Sequence, residues 1–129
     1  MVNRTMAMGA KTARTRRRRA ERHGRFAEYV AALSLALKGY RIVSLRFRTP
    51  LGEVDIIARK GDLVAFVEVK ARSSEQWAID AVAYPSQKRI RAASDLWLAR
   101  ASDAARLSQR YDIVVVRPWR WPRHFPDAF

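Results

Sequence analysis

Apolar residues fall first into a helical rhythm and then into strand-length runs. Between about Ala20 and Lys38, the residues Phe26, Val30, Leu33 and Leu37 form one stripe at helical spacing, and Gly39 is a suitable stop. The run YRIVSLRFR reads as a strand with Ile42 and Val43 at its heart, and TPLG as a turn. EVDIIAR and LVAFVEVK read as two strands joined at Lys60-Gly61-Asp62, a hairpin signal. Residues 71–83 look irregular. Pro85 suits the first turn of a second helix, on which Ile90, Ala93, Trp97, Leu98 and Ala101 make an apolar face. YDIVVV has the composition of a fully buried strand. The Pro-broken, aromatic ending RPWRWPRHFPDAF is expected to lie against the body.

The predicted order is helix, three strands, helix, strand: an α/β fold with a mixed central sheet. Two meander hairpins and a helical crossover place the last strand parallel to the third, through a right-handed connection. Residues 21–129 are read as one domain. Residues 1–20 lack periodicity and aromatics and are read as a disordered basic tail.

Composition narrows the chemistry. The chain has no cysteine, which excludes disulfides and thiolate metal sites. The basic N-terminus has no apolar core of a signal peptide, and the longest apolar run, YVAALSLAL, is too short to span a bilayer. A cytoplasmic protein with no membrane partner is expected. The formal charge is +14. Residues 1–25 hold nine of the Lys and Arg residues and one Glu, leaving seventeen basic and eleven acidic residues in 26–129. Both parts are basic, so a polyanion, most naturally nucleic acid, is the expected partner. The alternative is a protein that is merely arginine-rich. RTRRRR either adds phosphate affinity or is simply solvated.

Three charges interrupt the apolar hairpin. Alternation puts Asp55 and Ile57 on one face of their strand, with Val54, Ile56 and Ala58 on the other. In the next strand Val64, Phe66, Glu68 and Lys70 share a face. A loop at Lys60-Gly61 would pair Arg59 with Asp62, Asp55 with Phe66, and Glu53 with Glu68. Asp55 and Glu68 would then be diagonal neighbours with Cβ atoms about 7 Å apart. Carboxylates so placed can share a divalent cation. Without one they repel, and burial would raise one pKa. Lys70 would orient a water or stabilise charge on a phosphate oxygen. The alternative is a Glu–Lys pair at a solvated strand end. Three such residues on one face of a strongly basic domain favour a site.

Asp55, twelve residues, then Glu68-Val69-Lys70 resembles the PD-(D/E)xK nuclease signature. More closely, the chain resembles the YraN family of small bacterial proteins, related by fold to archaeal Holliday junction resolvases. GRFAE, GYRIV, GEVDIIAR, LVAFVEVKAR, SQKRI, YDIV and HFPDAF carry the likeness, from His23 onward. The resemblance implies a restriction-endonuclease-like core and Mg²⁺- or Mn²⁺-dependent phosphodiester hydrolysis, in DNA and, by analogy, in branched DNA by a homodimer. It assigns Asp55 and Glu68 to the metal, with the Val69 carbonyl as an extra ligand. It gives Lys70 to water or phosphate, and Glu28 the place of an additional acidic residue on the first helix.

There are departures. Val54 stands where proline is usual. Glu28 lies opposite the Phe26 stripe, although Gly24, Ala31 and Leu35 on its side could also approach the sheet. Gln87, Lys88 and Arg72 are candidate phosphate contacts, the first two where the second helix opens. Glu53 is either a rim charge or a member of the acidic cluster. The chain has no Gly-rich phosphate loop and no G-x-S-x-G, and His23 and His124 lack zinc spacing. The tryptophans read as core and tail packing rather than base-stacking platforms. The rival to a nuclease is a non-catalytic nucleic-acid-binding protein on the same fold. A third reading is an adaptor whose acidic cluster has no catalytic role.

Overall fold

A computed structural model describes residues 24–72 and 84–129. The reading of a disordered tail over 1–20 falls outside them, as does that of an irregular segment over 71–83 from residue 73 onward, while Ala71 closes a strand. Helix α1 occupies residues 24–37. Gly39, at φ +95°, ends it: its amide donates to the Ala36 carbonyl and the Tyr40 amide donates to that of Leu35, at 3.0 and 3.1 Å. Strands β1 (Arg41–Thr49), β2 (Gly52–Lys60) and β3 (Leu63–Ala71) follow, then α2 (Tyr84–Arg100), β4 (Ser108–Val116) and β5 (Arg123–Phe125). The sheet order is β1-β2-β3-β4-β5, with β3 and β4 parallel and the other pairs antiparallel. This is the expected restriction-endonuclease-like α/β core of helix, three-strand meander, helix and strand.

β5 is an addition. Its three residues pair with Ile113–Val115. A strand so short, closed in by Pro122 and Pro126, leaves no alternating pattern to read.

Both faces of the sheet are covered, so central β3 is buried from Val64 to Val67. Ile90 and Ala93 of α2 pack on Ile57, Phe66 and Tyr111, with Trp97 edge-on to Phe66 at 5.9 Å. On the other face Ala27, Ala31 and Leu35 of α1 pack on Ile56, Ala58 and Val67. The buried face of α1 is therefore the alanine side, not the expected stripe. Phe26, Leu33 and Leu37 are 60–67% exposed. Alanines let the helix backbone approach the sheet closely, whereas the bulky stripe would hold it away.

The hairpin register also differs from the expected one. The loop residues are Gly61 and Asp62, and Lys60 faces Leu63. Gly61, at φ +59°, takes the left-handed first position that a tight hairpin turn requires. The register is displaced by two residues, so Ile57, not Asp55, faces Phe66.

The C-terminal segment is anchored through one buried carboxylate. Asp112 is 0% exposed. It accepts two hydrogen bonds from Arg110 and one from the Asp127 amide, and pairs with His124 Nε2 at 2.7 Å. Arg110 also donates to the Tyr40 hydroxyl. Burial alone would raise Asp112, but these partners hold it down at about 2.

Candidate active site

The β2–β3 pairing runs from the turn to Ile56 opposite Val67 and goes no further. One step beyond, Asp55 and Glu68 stand across from one another, closer than the diagonal neighbours expected. The Val69 amide, next in line for the β2 backbone, donates instead to Asp55 Oδ2 at 2.8 Å. On the other side of β2, Leu45 faces Ile56 and Phe47 faces Val54, with Arg46 between them at φ +56°. A left-handed arginine within a strand is strained. Alternation breaks at the same point: Val54 packs with Ile57 on the α2 side, while Ile56 and Ala58 pack under α1. The expected grouping of Val54 with Ile56 is thus corrected. Asp55 sits at the bend where β2 parts from β3 while still paired with β1 on either side.

Asp55 and Glu68 are half-buried. Burial pushes Asp55 up to about 6, against the Val69 hydrogen bond, with Glu28 and Glu53 adding repulsion. Burial and then the Asp55 charge push Glu68 up to about 8, opposed by Lys70. Both carboxylates therefore resist ionisation, and the pair holds a shared proton more firmly than separate carboxylates would.

The carboxylates open into a cleft of about 110 Å³ lined by Glu53, Asp55, Glu68, Ser86, Arg89 and Ile90. The first turn of α2 forms its far wall. Gly52 allows that approach, since a Cβ there would lie 2.2 Å from the Arg89 carbonyl oxygen. Lys70 is half-buried, one alternation beyond Glu68.

The remaining candidates are placed less centrally. Glu28 is half-buried and bonded to Arg46 Nε at 2.6 Å, so its carboxylate is tied to the bend, although its charge reaches Asp55. Glu53 is exposed, 3.5 Å from Arg48. Gln87 and Lys88 lie in the first turn of α2, but Ser86 and Arg89 line the cleft instead. Arg72, past the end of β3, donates its guanidinium to the Ala71 carbonyl. Ser86 was open to sequence reasoning, because the stripe of Ile90, Ala93 and Trp97 extended back one turn reaches it. Arg46 carried no such signal, since nothing in an arginine announces a left-handed backbone.

Among the described residues, no group of three or more His, Cys, Asp or Glu side chains could hold a metal. The donors facing the cleft are the Asp55 and Glu68 carboxylates, to which the resemblance would add the Val69 carbonyl. That set fits a hard divalent cation such as Mg²⁺, which keeps several waters and takes one or two protein carboxylates together with substrate phosphate.

Comparison with known proteins agrees on one family. The profile of the uncharacterised protein family UPF0102 matches residues 27–116. A UPF0102 protein of Rhizobium etli is 68% identical over 95% of this chain and 100% of its own length. One of Rhizobium leguminosarum is 72% identical over 88% of this chain and 93% of the relative. One of Agrobacterium fabrum is 63% identical over the same shares. No helix among the described residues is long and apolar enough to cross a membrane.

Proposed function

We propose that this chain, which belongs to the UPF0102 family, is a metal-dependent nuclease that hydrolyses phosphodiester bonds in DNA. The observation that supports this reading is the pair Asp55 and Glu68, facing one another where the β2–β3 ladder stops. Burial raises both carboxylates, and the Asp55 charge raises Glu68 further, an arrangement a structural role does not require. A divalent ion bound there would polarise the scissile phosphate and lower the pKa of an attacking water.

The chain's own residues prepare that site. The Val69 amide fixes the orientation of Asp55, so one carboxylate oxygen faces the cleft. Glu68 would hold a cation as its carboxylate, with its proton released to solvent. Lys70, on the same face, places positive charge where a phosphate oxygen gains negative charge. Ser86 and Arg89, at the start of α2, offer a hydroxyl, a guanidinium and the helix N-terminus to a phosphate. Glu28 acts through Arg46 and positions the bend that carries Asp55. The basic surface, at +14 overall, supplies backbone affinity with little sequence readout. The resemblance extends the proposal to a cytoplasmic homodimer acting on branched DNA.

A panel of linear, flapped and four-way DNAs, incubated with Mg²⁺ and with Mn²⁺, tests the reading. Cleavage is expected in wild type and lost in Glu68→Gln. Binding without cleavage on every substrate and with both ions would establish the non-catalytic reading instead.

A further inference from the structure

The loop after β4 reads Arg117-Pro118-Trp119-Arg120-Trp121-Pro122-Arg123, and its tryptophans are not packed as the sequence suggests. Trp119 is 103% exposed and Trp121 62%. Trp119 also has φ +59°, a left-handed backbone that bulky residues avoid. Full exposure of an indole and a strained turn contribute nothing to folding. Together they hold an aromatic face out in solvent. Between this loop and α1 lies an apolar cleft of about 520 Å³, walled by Phe26, Val30, Ala71, Val116, Trp119 and Trp121, with Arg117 and Arg120 at its sides. Ala71 pairs with Val116 on the α1 face, so the cleft reaches the C-terminal ends of β3 and β4 on the opposite face of the sheet from the carboxylate site.

We infer that this cleft binds unpaired nucleotides, their bases stacking on Trp119 and Trp121 and their phosphates meeting the interleaved arginines. The inference rests on the nucleic-acid reading of the site and deepens it by naming a single-stranded segment as part of the ligand. Three observations select this occupant. The aromatic faces suit any base, and a base paired in a duplex presents no free face. The arginines and the +14 charge complement a phosphate backbone. The cleft reaches the C-terminal ends of β3 and β4 through Ala71 and Val116, so a strand crossing those ends from the carboxylate face would meet it.

The test uses the full-length protein in EDTA, so that binding is read without hydrolysis. Short oligo(dT) and a blunt duplex are titrated at one salt concentration, following tryptophan emission and probe anisotropy. Oligo(dT) should quench the emission. Trp119→Ala should weaken oligo(dT) binding roughly tenfold, Trp119→Phe by no more than about twofold, and neither should change duplex binding. The inference fails if Trp119→Ala weakens duplex and oligo(dT) alike, or if Trp119→Phe behaves like alanine. It also fails if Trp119 is already shielded from iodide in the free protein, since a segment of this chain would then fill the cleft. Emission shifts with phosphatidylglycerol vesicles but not with oligo(dT) would make the loop a membrane contact. A dimer abolished by Trp119→Ala would make it a contact between copies. Either result overturns the assignment. Cleavage of DNA alongside oligo(dT) binding that ignores Trp119 would remove this inference and leave the nuclease reading standing.

Discussion

Replacing Asp55 with asparagine should stabilise the metal-free protein, and only at a pH where the carboxylate pair is driven to ionise. Burial raises Asp55 from 3.8 to about 6 in the folded state. A shift of about two units corresponds to roughly 3 kcal/mol resisting ionisation. The sign follows from proton counts. Between those two values the folded chain holds a proton that the unfolded chain has released, so stability falls as pH rises. The loss is absent below about pH 4 and complete above about pH 6 for Asp55. Glu68, raised from 4.5 to about 8, extends the decline to that pH.

Asparagine removes the charge but keeps the geometry: its oxygen can accept the Val69 amide, and its NH₂ can donate to Glu68. With some of the penalty surviving as the burial of Glu68, the gain at pH 8 should be about 1–3 kcal/mol, or roughly 4–12 °C in Tm. Asp55→Ala instead strands the Val69 N–H, which costs about 1–3 kcal/mol and offsets the gain. Thermal melts in EDTA at pH 4 and pH 8 measure all three proteins. A lower Tm for Asp55→Asn at pH 8, or the same shift at both pH values, would refute the reasoning and favour a structural role for Asp55.

Other outcomes follow from the packing. Gly52→Ala should destabilise by about 1–3 kcal/mol or more in urea melts, since its Cβ would sit 2.2 Å from the Arg89 carbonyl oxygen and two backbones would have to part. On α1, Leu35→Ala should cost about 2–5 kcal/mol, while Leu33→Ala should stay within about 0.5 kcal/mol, because the first is 0% exposed and the second 60%. Asp112, held at about 2 against an ordinary 3.8, stabilises the fold above about pH 4 and loses that contribution as pH falls through 2. Asp112→Ala should therefore cost about 3–5 kcal/mol at pH 7, measured by urea denaturation, by leaving half-buried Arg110, His124 and the Asp127 amide without their carboxylate.

The hairpin and the crossover were legible because they rest on local signals: period-two alternation, glycine at turns and a proline opening α2. Asp55 and Glu68 fell on one face in the expected register and in the observed one, because a two-residue displacement preserves the face. Which two residues make the loop depends on where Gly61 sits within it, and the KGD run alone allows either choice. The helix α1 misled because both of its sides are apolar. Side-chain size decides between them, and the sheet accepts the smaller alanines. Arg46 and Trp119 were hidden for a common reason: a left-handed backbone at a non-glycine residue is imposed by tertiary structure. Asp112 looked like one polar residue in an apolar strand. Its partners His124 and Asp127, and the Tyr40 hydroxyl that its partner Arg110 also reaches, come together only after folding.

The central claim is that Asp55 and Glu68 form a single divalent-metal site, and calorimetric titration of Mn²⁺ into the purified protein tests it most directly. At pH 7 the account expects saturable binding that releases about one proton, because Glu68 must ionise to bind. That proton should appear as a dependence of the measured heat on buffer ionisation enthalpy. Affinity should rise from pH 6 to pH 8, and the site should vanish in both Asp55→Asn and Glu68→Gln. Equal Mn²⁺ binding by wild type and both variants, or binding with no proton released at pH 7, would contradict the account.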